Sequence, residues 1–330
     1  MKYAKDTRPK GVANKAAEVL VEALPWIKNI TGKTVVIKYG GSAMVDEQLR
    51  ADVMNDIVLL KIVGVNPVIV HGGGKAITEA MDFLQLPVEF KDGQRVTTPE
   101  AMDLVRTVLM GKVNQELVEA LNEHGNFAVG VSGADAGVIV AEQASPELGR
   151  VGRITRINSP LLDDLVAGDY IPVVASVALG EDGGFYNVNA DMVAGHIAAA
   201  IGAHKVVFLT DVDGLYENFE DKSTLISNLT LFEAQYLIEN DVVSTGMIPK
   251  LKSCVTALDA GVFRAHILNG TTPHSLLLEL LTSTGVGTTM HSTEEACKFD
   301  AHPLGNFASK LLENREQAAA QAAAAERFVG

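Results

Sequence analysis

Apolar residues fall in two kinds of pattern along this chain, and the two kinds take turns. Val35-Val36-Ile37, Val68-Ile69-Val70, Ile171-Pro172-Val173-Val174-Ala175 and Val206-Val207-Phe208-Leu209 are short continuous apolar runs, as expected of strands buried on both faces. Between them the apolar positions recur at helical spacing. The pattern predicts strand 33–38, helix 46–63, strand 66–71 and helix 75–84, then a hairpin over 87–97 turning at Lys91-Asp92-Gly93-Gln94, and a long helix over 99–124. Strands at 128–131 and 171–175, an apolar segment at 137–141 and a second small hairpin at 149–158 follow. The polar stretch Glu181-Asp182-Gly183-Gly184 reads as a boundary between two lobes. Beyond it the pattern predicts helix 190–201, strand 205–209, helices 231–239 and 247–260, strand 264–268 and helix 273–281. Strands alternating with amphipathic helices imply an α/β fold with a mainly parallel open sheet covered on both faces.

Two ends of the chain stand outside that alternation. Residues 13–29 carry Val19, Leu20, Ala23, Leu24 and Ile27 at helical spacing, and Pro25 is expected to bend or break this helix. After His291 the pattern decays into an alanine-rich stretch at 317–326, read as a frayed helix or a disordered tail.

Composition narrows the function by exclusion. The chain has 330 residues, enough for two domains or two lobes, with 47% hydrophobic and 21% charged residues. A formal net charge of −14 argues against a general nucleic-acid or acidic-membrane binder, yet leaves room for a small anionic substrate held by a local lysine cluster. Cys254 and Cys297 form no C-x-x-C pattern, so neither a disulfide framework nor a zinc signature is present. That cysteine usage fits a reducing cytoplasm; the first fifteen residues lack the apolar core of a signal peptide, and no membrane span is indicated. The eight histidines are scattered and read as satisfied core or surface groups.

The candidate chemistry lies where strands end. Lys38 closes the first apolar run in Lys38-Tyr39-Gly40-Gly41; about two hundred residues later Lys250 closes Gly246-Met247-Ile248-Pro249-Lys250. Between them His71-Gly72-Gly73-Gly74 follows another strand. Phosphoryl transfer needs positive charge and backbone N–H groups around oxygens that carry the transition-state charge, and lysines with glycine turns supply both. Gly72-Gly73-Gly74-Lys75 is not a P-loop, because Ile69 and Ala76 stand where that motif needs Gly and Ser or Thr; no G-x-G-x-x-G follows the first strand either. What is left is a set of glycines after strand ends, suited to a carboxylate or phosphate. Asn189 and Asp191 in Asn187-Val188-Asn189-Ala190-Asp191 read as a helix start. The segment 206–216 runs an apolar strand into a polar loop, where open α/β sheets bind ligands, and Asp211 and Asp213 are either magnesium ligands or turn formers.

Taken in order, these motifs, with Asp92-Gly93-Gln94-Arg95-Val96-Thr97 and Leu209-Thr210-Asp211-Val212-Asp213-Gly214-Leu215-Tyr216, resemble the amino acid kinase family over about 33–290. The resemblance is to the branch that phosphorylates the side-chain carboxylate of N-acetyl-L-glutamate, the second step of arginine biosynthesis. It implies a three-layer αβα sandwich, with an N-terminal helix extension at 1–31, an acyl-substrate lobe at 32–180, an ATP lobe at 181–300 and a tail at 301–330. It also implies that Lys38 and Lys250 stabilise the phosphoryl group in transit, and that Asp191 holds both lysines. Gly73, Gly74, Arg95 and Asn187 would bind the substrate. Gly40, Gly41, Thr210, Asp211, Gly214, Tyr216, Gly246 and Met247 would line the ATP site, with Mg²⁺ arriving on the nucleotide and no metal site built from protein alone. No general base is required, since a carboxylate is already a nucleophile at neutral pH.

Relatives of this kind that L-arginine inhibits carry an added N-terminal helix that interlaces dimers into a hexamer and a segment like 279–288, so the resemblance implies a hexamer with Glu279 and Gly285 near the inhibitor. Two features depart from the family pattern: Thr245 replaces a usual glycine and Asn269-Gly270-Thr271 replaces Asp-Gly-Arg. Competing readings are a kinase for aspartate, glutamate, carbamate or uridylate, or a catalytically dead sensor or acetyltransferase half. Retention of Lys38, Asp191 and Lys250 together argues against the last two.

Overall fold

The computed structural model describes residues 10–40, 46–91, 93–240, 242–244, 246–282 and 285–292. Gly41, Asp92, Thr245 and the alanine-rich tail lie outside the described residues.

Among the described residues the apolar runs pair side by side as the centre of an eight-stranded sheet. Its strands are β1 (Thr34–Tyr39), β2 (Asn66–His71), β5 (Ala128–Ser132), β8 (Ile171–Ala175), β11 (Lys205–Thr210), β12 (Asn228–Thr230), β13 (Arg264–Asn269) and β14 (Thr288–His291), in the order β12-β14-β13-β11-β1-β2-β8-β5. All neighbours are parallel except β13 and β14. Because side chains alternate across a strand, Ile37, Ile69, Val173 and Val207 face one side and Val36, Val68, Val174 and Phe208 the other. The first side is covered by α2 (Glu47–Ile62), α3 (Gly74–Phe83), α4 (Pro99–Val108), α5 (Gln115–Asn122) and α10 (Ser275–Leu281). The second is covered by α6 (Pro160–Ala167), α7 (Ala190–Ala200), α8 (Leu231–Glu239) and α9 (Ile248–Asp259). The result is the expected three-layer αβα sandwich, and each Val or Ile removed from water in the strands contributes roughly 1.5–3 kcal/mol.

A second sheet of four strands, β10-β9-β6-β7, sits at the carboxyl end of β8. It is built from β6 (Ile139–Gln143), β7 (Gly152–Ile157), β9 (Val177–Gly180) and β10 (Phe185–Asn187). The polar turn 181–184 joins β9 to β10, and β3 (Phe90–Lys91) with β4 (Gln94–Arg95) forms the expected hairpin.

The structure corrects three expectations. Helix α1 (Lys10–Ile30) runs unbroken through Pro25; Val21, whose carbonyl loses its partner, lies on an exposed stretch where solvent can take that bond. Residues 149–158 are not a hairpin in themselves: only 152–157 is strand, and it pairs antiparallel with β6. The long helix 99–124 is interrupted by a π turn, Leu109–Asn114, between α4 and α5. Helix α6 and the short strands β12 and β14 had no counterpart in the sequence pattern.

Candidate active site

The sheet reverses its direction of growth between β1 and β11: β1 leads through α2 to β2 on one side, and β11 leads to β13 on the other. Crevices at such switch points, beyond the carboxyl ends of the strands, are where open α/β sheets bind ligands. Lys38 lies at the end of β1, with Gly40 directly beneath its side chain.

Asp191 reaches the same crevice from the first turn of α7. The Asn189 side chain caps this helix, accepting from the backbone N–H of Asp191 at 2.8 Å and of Met192 at 3.2 Å. A carboxylate is favoured there by the helix dipole. Lys250 stands in the first turn of α9, after Pro249, which costs no hydrogen bond at that position. Asp191 bridges the two lysines: Lys38 Nζ is 2.9 Å from Oδ1, and Lys250 Nζ donates to Oδ2 at 3.2 Å. Burial works to raise the Asp191 pKa, but the charges of Lys38 and Lys250 outweigh it and hold the carboxyl below its ordinary range. The ionised cluster carries one formal positive charge more than it neutralises.

Beside this cluster lies a cavity of about 310 Å³. It is lined by the glycine turn 72–74 at the start of α3, by Arg95, and by Asn187 to Ala190 leading into α7. The amino ends of α3 and α7 therefore both border it, which favours an anionic guest. Gly73 cannot be larger without rearrangement, since a β-carbon there would lie 2.7 Å from Leu109 Cδ2 on the π turn. Asn187 Nδ2 donates to Thr97 Oγ1 at 3.3 Å. Arg95 is buried, not a solvated surface charge; its Nη2 donates to the Gly74 carbonyl at 2.9 Å and to Thr78 Oγ1 at 2.6 Å, and its guanidinium stacks 4.7 Å from the Phe90 ring. Both Nη2 hydrogens are taken in this conformation, so a two-point grip on a carboxylate requires one of these bonds to be released.

The nucleotide-side candidates are more dispersed. Thr210 ends β11 and donates to Asp211 at 3.1 Å, while Gly214 is packed against Thr288. Asp213 accepts from Asn269 at 2.8 Å and from the Tyr216 hydroxyl, so both its oxygens are engaged. Gly246 and Met247 immediately precede α9, with the Gly246 carbonyl 3.5 Å from Lys250 Nζ. Among the described residues no group of three or more His, Cys, Asp or Glu is placed to hold a metal ion.

Glu279 and Gly285 meet elsewhere. Glu279 Oε1 accepts from His266 Nδ1 and Thr289 Oγ1, each at 2.8 Å, and Oε2 from the Val286 N–H at 2.8 Å. Burial opposes ionisation of Glu279, but these bonds hold its pKa down at about 2. Sequence reasoning missed Thr78, Phe90, Leu109 and Ser176, which also line the cavity, and Asn114, whose one legible signal is a polar residue on the apolar stripe that continues through Leu117 and Leu121.

The amino acid kinase family model matches residues 33–269, spanning β1 to β13 and every residue of the lysine–aspartate cluster. The chain belongs to this family. This amino acid kinase is 50% identical over 274 residues to the acetylglutamate kinase of Caldanaerobacter subterraneus subsp. tengcongensis, covering 82% of the chain and 92% of the relative. It is 47% identical over 285 residues to that of Bifidobacterium longum, covering 84% and 93%. It is an enzyme, a kinase of the type these relatives represent. Among solved structures, smu.665 from Streptococcus mutans superposes with a TM-score of 0.66 at 29% identity, over 79% of this chain and 99% of that one. N-acetylglutamate synthase from Neisseria gonorrhoeae, solved with coenzyme A and N-acetyl-glutamate, superposes with a TM-score of 0.74 at 24% identity, over 84% and 63%, a likeness of fold. Among the described residues no helix is long and apolar enough to cross a membrane.

Proposed function

We propose that this kinase transfers the γ-phosphoryl group of ATP to the side-chain carboxylate of N-acetyl-L-glutamate, in the cytoplasm, as the second step of arginine biosynthesis. The observation that carries the reading is the contact of Asp191 with both Lys38 and Lys250 beside an anion-favouring cavity. Residues 32–180 supply the acyl-substrate lobe and 181–300 the ATP lobe, with the lysines approaching from either side. The acceptor carboxylate attacks unaided by a general base, because it is ionised at neutral pH. Gly73 and Gly74 receive it through backbone N–H groups, Arg95 and Asn187 hold the remote carboxylate, and the residual positive charge of the cluster is stabilised most when charge builds on the transferring oxygens. Asp191 holds both lysines in place; it does not touch the reacting atoms.

ATP is received by Gly40, Gly41, Thr210, Asp211, Gly214, Tyr216, Gly246 and Met247. Mg²⁺ enters as part of that substrate, held chiefly by phosphate oxygens and water.

Formation of acyl phosphate, trapped with hydroxylamine, tests the assignment with N-acetyl-L-glutamate, L-glutamate and L-aspartate as acceptors. Preference for an unacetylated acceptor overturns it. The reading extends to inhibition by L-arginine in a hexamer built through α1, whose apolar Val19, Leu20, Val21 and Leu24 are 61–70% exposed among the described residues. Glu279 would release one of its present partners to take the inhibitor. Sedimentation as dimers, with activity indifferent to L-arginine, defeats that extension.

A further inference from the structure

We propose that His71 and Asn114 form a positioning pair that aims the Gly73 N–H into the cavity; the inference rests on the reading of that cavity as the acceptor site. The chain of bonds begins at Val173, whose backbone carbonyl can only accept. The Asn114 atom 2.8 Å from it is therefore the amide nitrogen, which fixes which way the side chain points. That same nitrogen lies 2.9 Å from His71 Nε2. Its second hydrogen is directed there, so Nε2 is the acceptor. A neutral imidazole that accepts at Nε2 carries its proton on Nδ1, and Nδ1 is 3.0 Å from the Gly72 carbonyl oxygen.

That last bond sets the plane of the peptide between Gly72 and Gly73. Among the described residues every peptide is trans, so the N–H of Gly73 points opposite to the Gly72 carbonyl. With the carbonyl drawn back towards His71, the N–H is turned towards the cavity that Gly73 lines.

Two further observations show that the arrangement is built at a cost. Asn114 Oδ1 is buried with no hydrogen-bond partner among the described residues, and it faces Gly130, where a β-carbon would stand only 2.1 Å away. An apolar residue would suit this stripe better if packing were the sole requirement. The π turn that carries Asn114 also carries Leu109 and Val113, the two side chains pressed against Gly73. One irregular turn thus supports the glycine loop by packing and by hydrogen bonds, a use that recurs for π turns at functional sites. His71 is suited to a neutral role, since burial drives its pKa down to about 4 despite the bond to Gly72.

The decisive experiment reads the tautomer directly and the kinetics beside it. In long-range ¹H–¹⁵N spectra of the full chain labelled at histidine, His71 should be neutral at pH 7 with the proton on Nδ1. Asn114→Ala removes the donor to Nε2 and should shift the Nε2 resonance and weaken that preference, which the Gly72 carbonyl alone then supports. Asn114→Ala and His71→Leu should each raise KM for N-acetyl-L-glutamate about tenfold while KM for ATP stays within about twofold, and His71→Asn, whose amide N–H can replace Nδ1–H, should recover most of the loss. A proton on Nε2 in the unaltered protein, or wild-type KM in folded His71→Leu, overturns the proposal. If the unaltered chain does not phosphorylate N-acetyl-L-glutamate, the functional reading fails alone and the spectrum still decides the pair. The same spectrum decides it should either variant fail to fold.

Discussion

Gly195 on α7 faces Ser253 on α9 so closely that a β-carbon on the glycine would lie 2.6 Å from the Ser253 carbonyl oxygen and 3.0 Å from its α-carbon. Asp191 is one turn before Gly195 and Lys250 one turn before Ser253, so this close approach is what brings the two charges within 3.2 Å. The obstructing atoms are backbone and cannot swing aside. Gly195→Ala should force the helices apart, costing about 1–3 kcal/mol of stability. It should also lower kcat while leaving the contact from β1, Lys38 to Asp191, in place. Urea midpoints with steady-state kinetics test this; a variant with unchanged kcat would show that the helix spacing does not set the site.

On the proposed function, replacing either lysine removes a charge whose worth is greatest in the transition state. Lys38→Ala and Lys250→Ala should each lower kcat by about 10²–10³, roughly 3–4 kcal/mol of barrier, with much smaller changes in KM. The converse pattern, raised KM with kcat intact, would reassign the lysine to ground-state binding.

The placement of these residues is partly legible in the sequence. Strand ends carrying Lys38, Gly73 and Thr210 could be placed because buried parallel strands read as unbroken apolar runs, and Asp191 because Asn189 announces a helix start. Arg95 was legible only through the family resemblance, since an arginine in a hairpin by itself reads as a surface charge until the partners that bury it, Gly74 and Thr78, are known to lie across from it. Asn114 was hidden for a related reason. A π turn adds a residue without disturbing the apolar pattern enough to be seen, and the polar group it turns inward has partners 43 and 59 residues away. Strands β12 and β14 are three and four residues long, too short for a period to register.

The acid–base behaviour of the fold should carry a signature from Asp56 and His274. Asp56 on α2 is buried, with His274 Nδ1 2.7 Å from Oδ1 and, among the described residues, no partner at Oδ2. Burial pushes its pKa up to about 6 against the pull of His274, while the hydrogen bond and charge of Asp56 raise that of His274. Both folded values exceed the unfolded ones, so the folded state binds more protons. The pair's contribution is therefore full below about pH 4 and is lost as pH rises through about 6 and then through the His274 value. In urea midpoints from about pH 4 to 8, the wild type should lose its advantage over Asp56→Asn as pH rises. Parallel profiles would mean the pair does not titrate with folding.

The glycine loop offers the sharpest separation of packing from chemistry. Gly73→Ala places a methyl group 2.7 Å from Leu109 Cδ2 and 3.2 Å from Val113 Cγ2, both on the π turn. Leu109 is 1% exposed and borders the same cavity as Gly73, so the added methyl displaces the Leu109 side chain or the loop itself into that cavity. KM for N-acetyl-L-glutamate should rise about tenfold or more, with KM for ATP little changed, because only the acceptor wall moves. Shortening the obstruction should reverse this. Gly73→Ala with Leu109→Ala should regain most of the acceptor affinity while losing about 2–5 kcal/mol of stability through the deleted core side chain. If the double variant binds the acceptor no better than Gly73→Ala alone, the defect comes from the added methyl meeting substrate directly, and the π turn has no part in setting the loop's position.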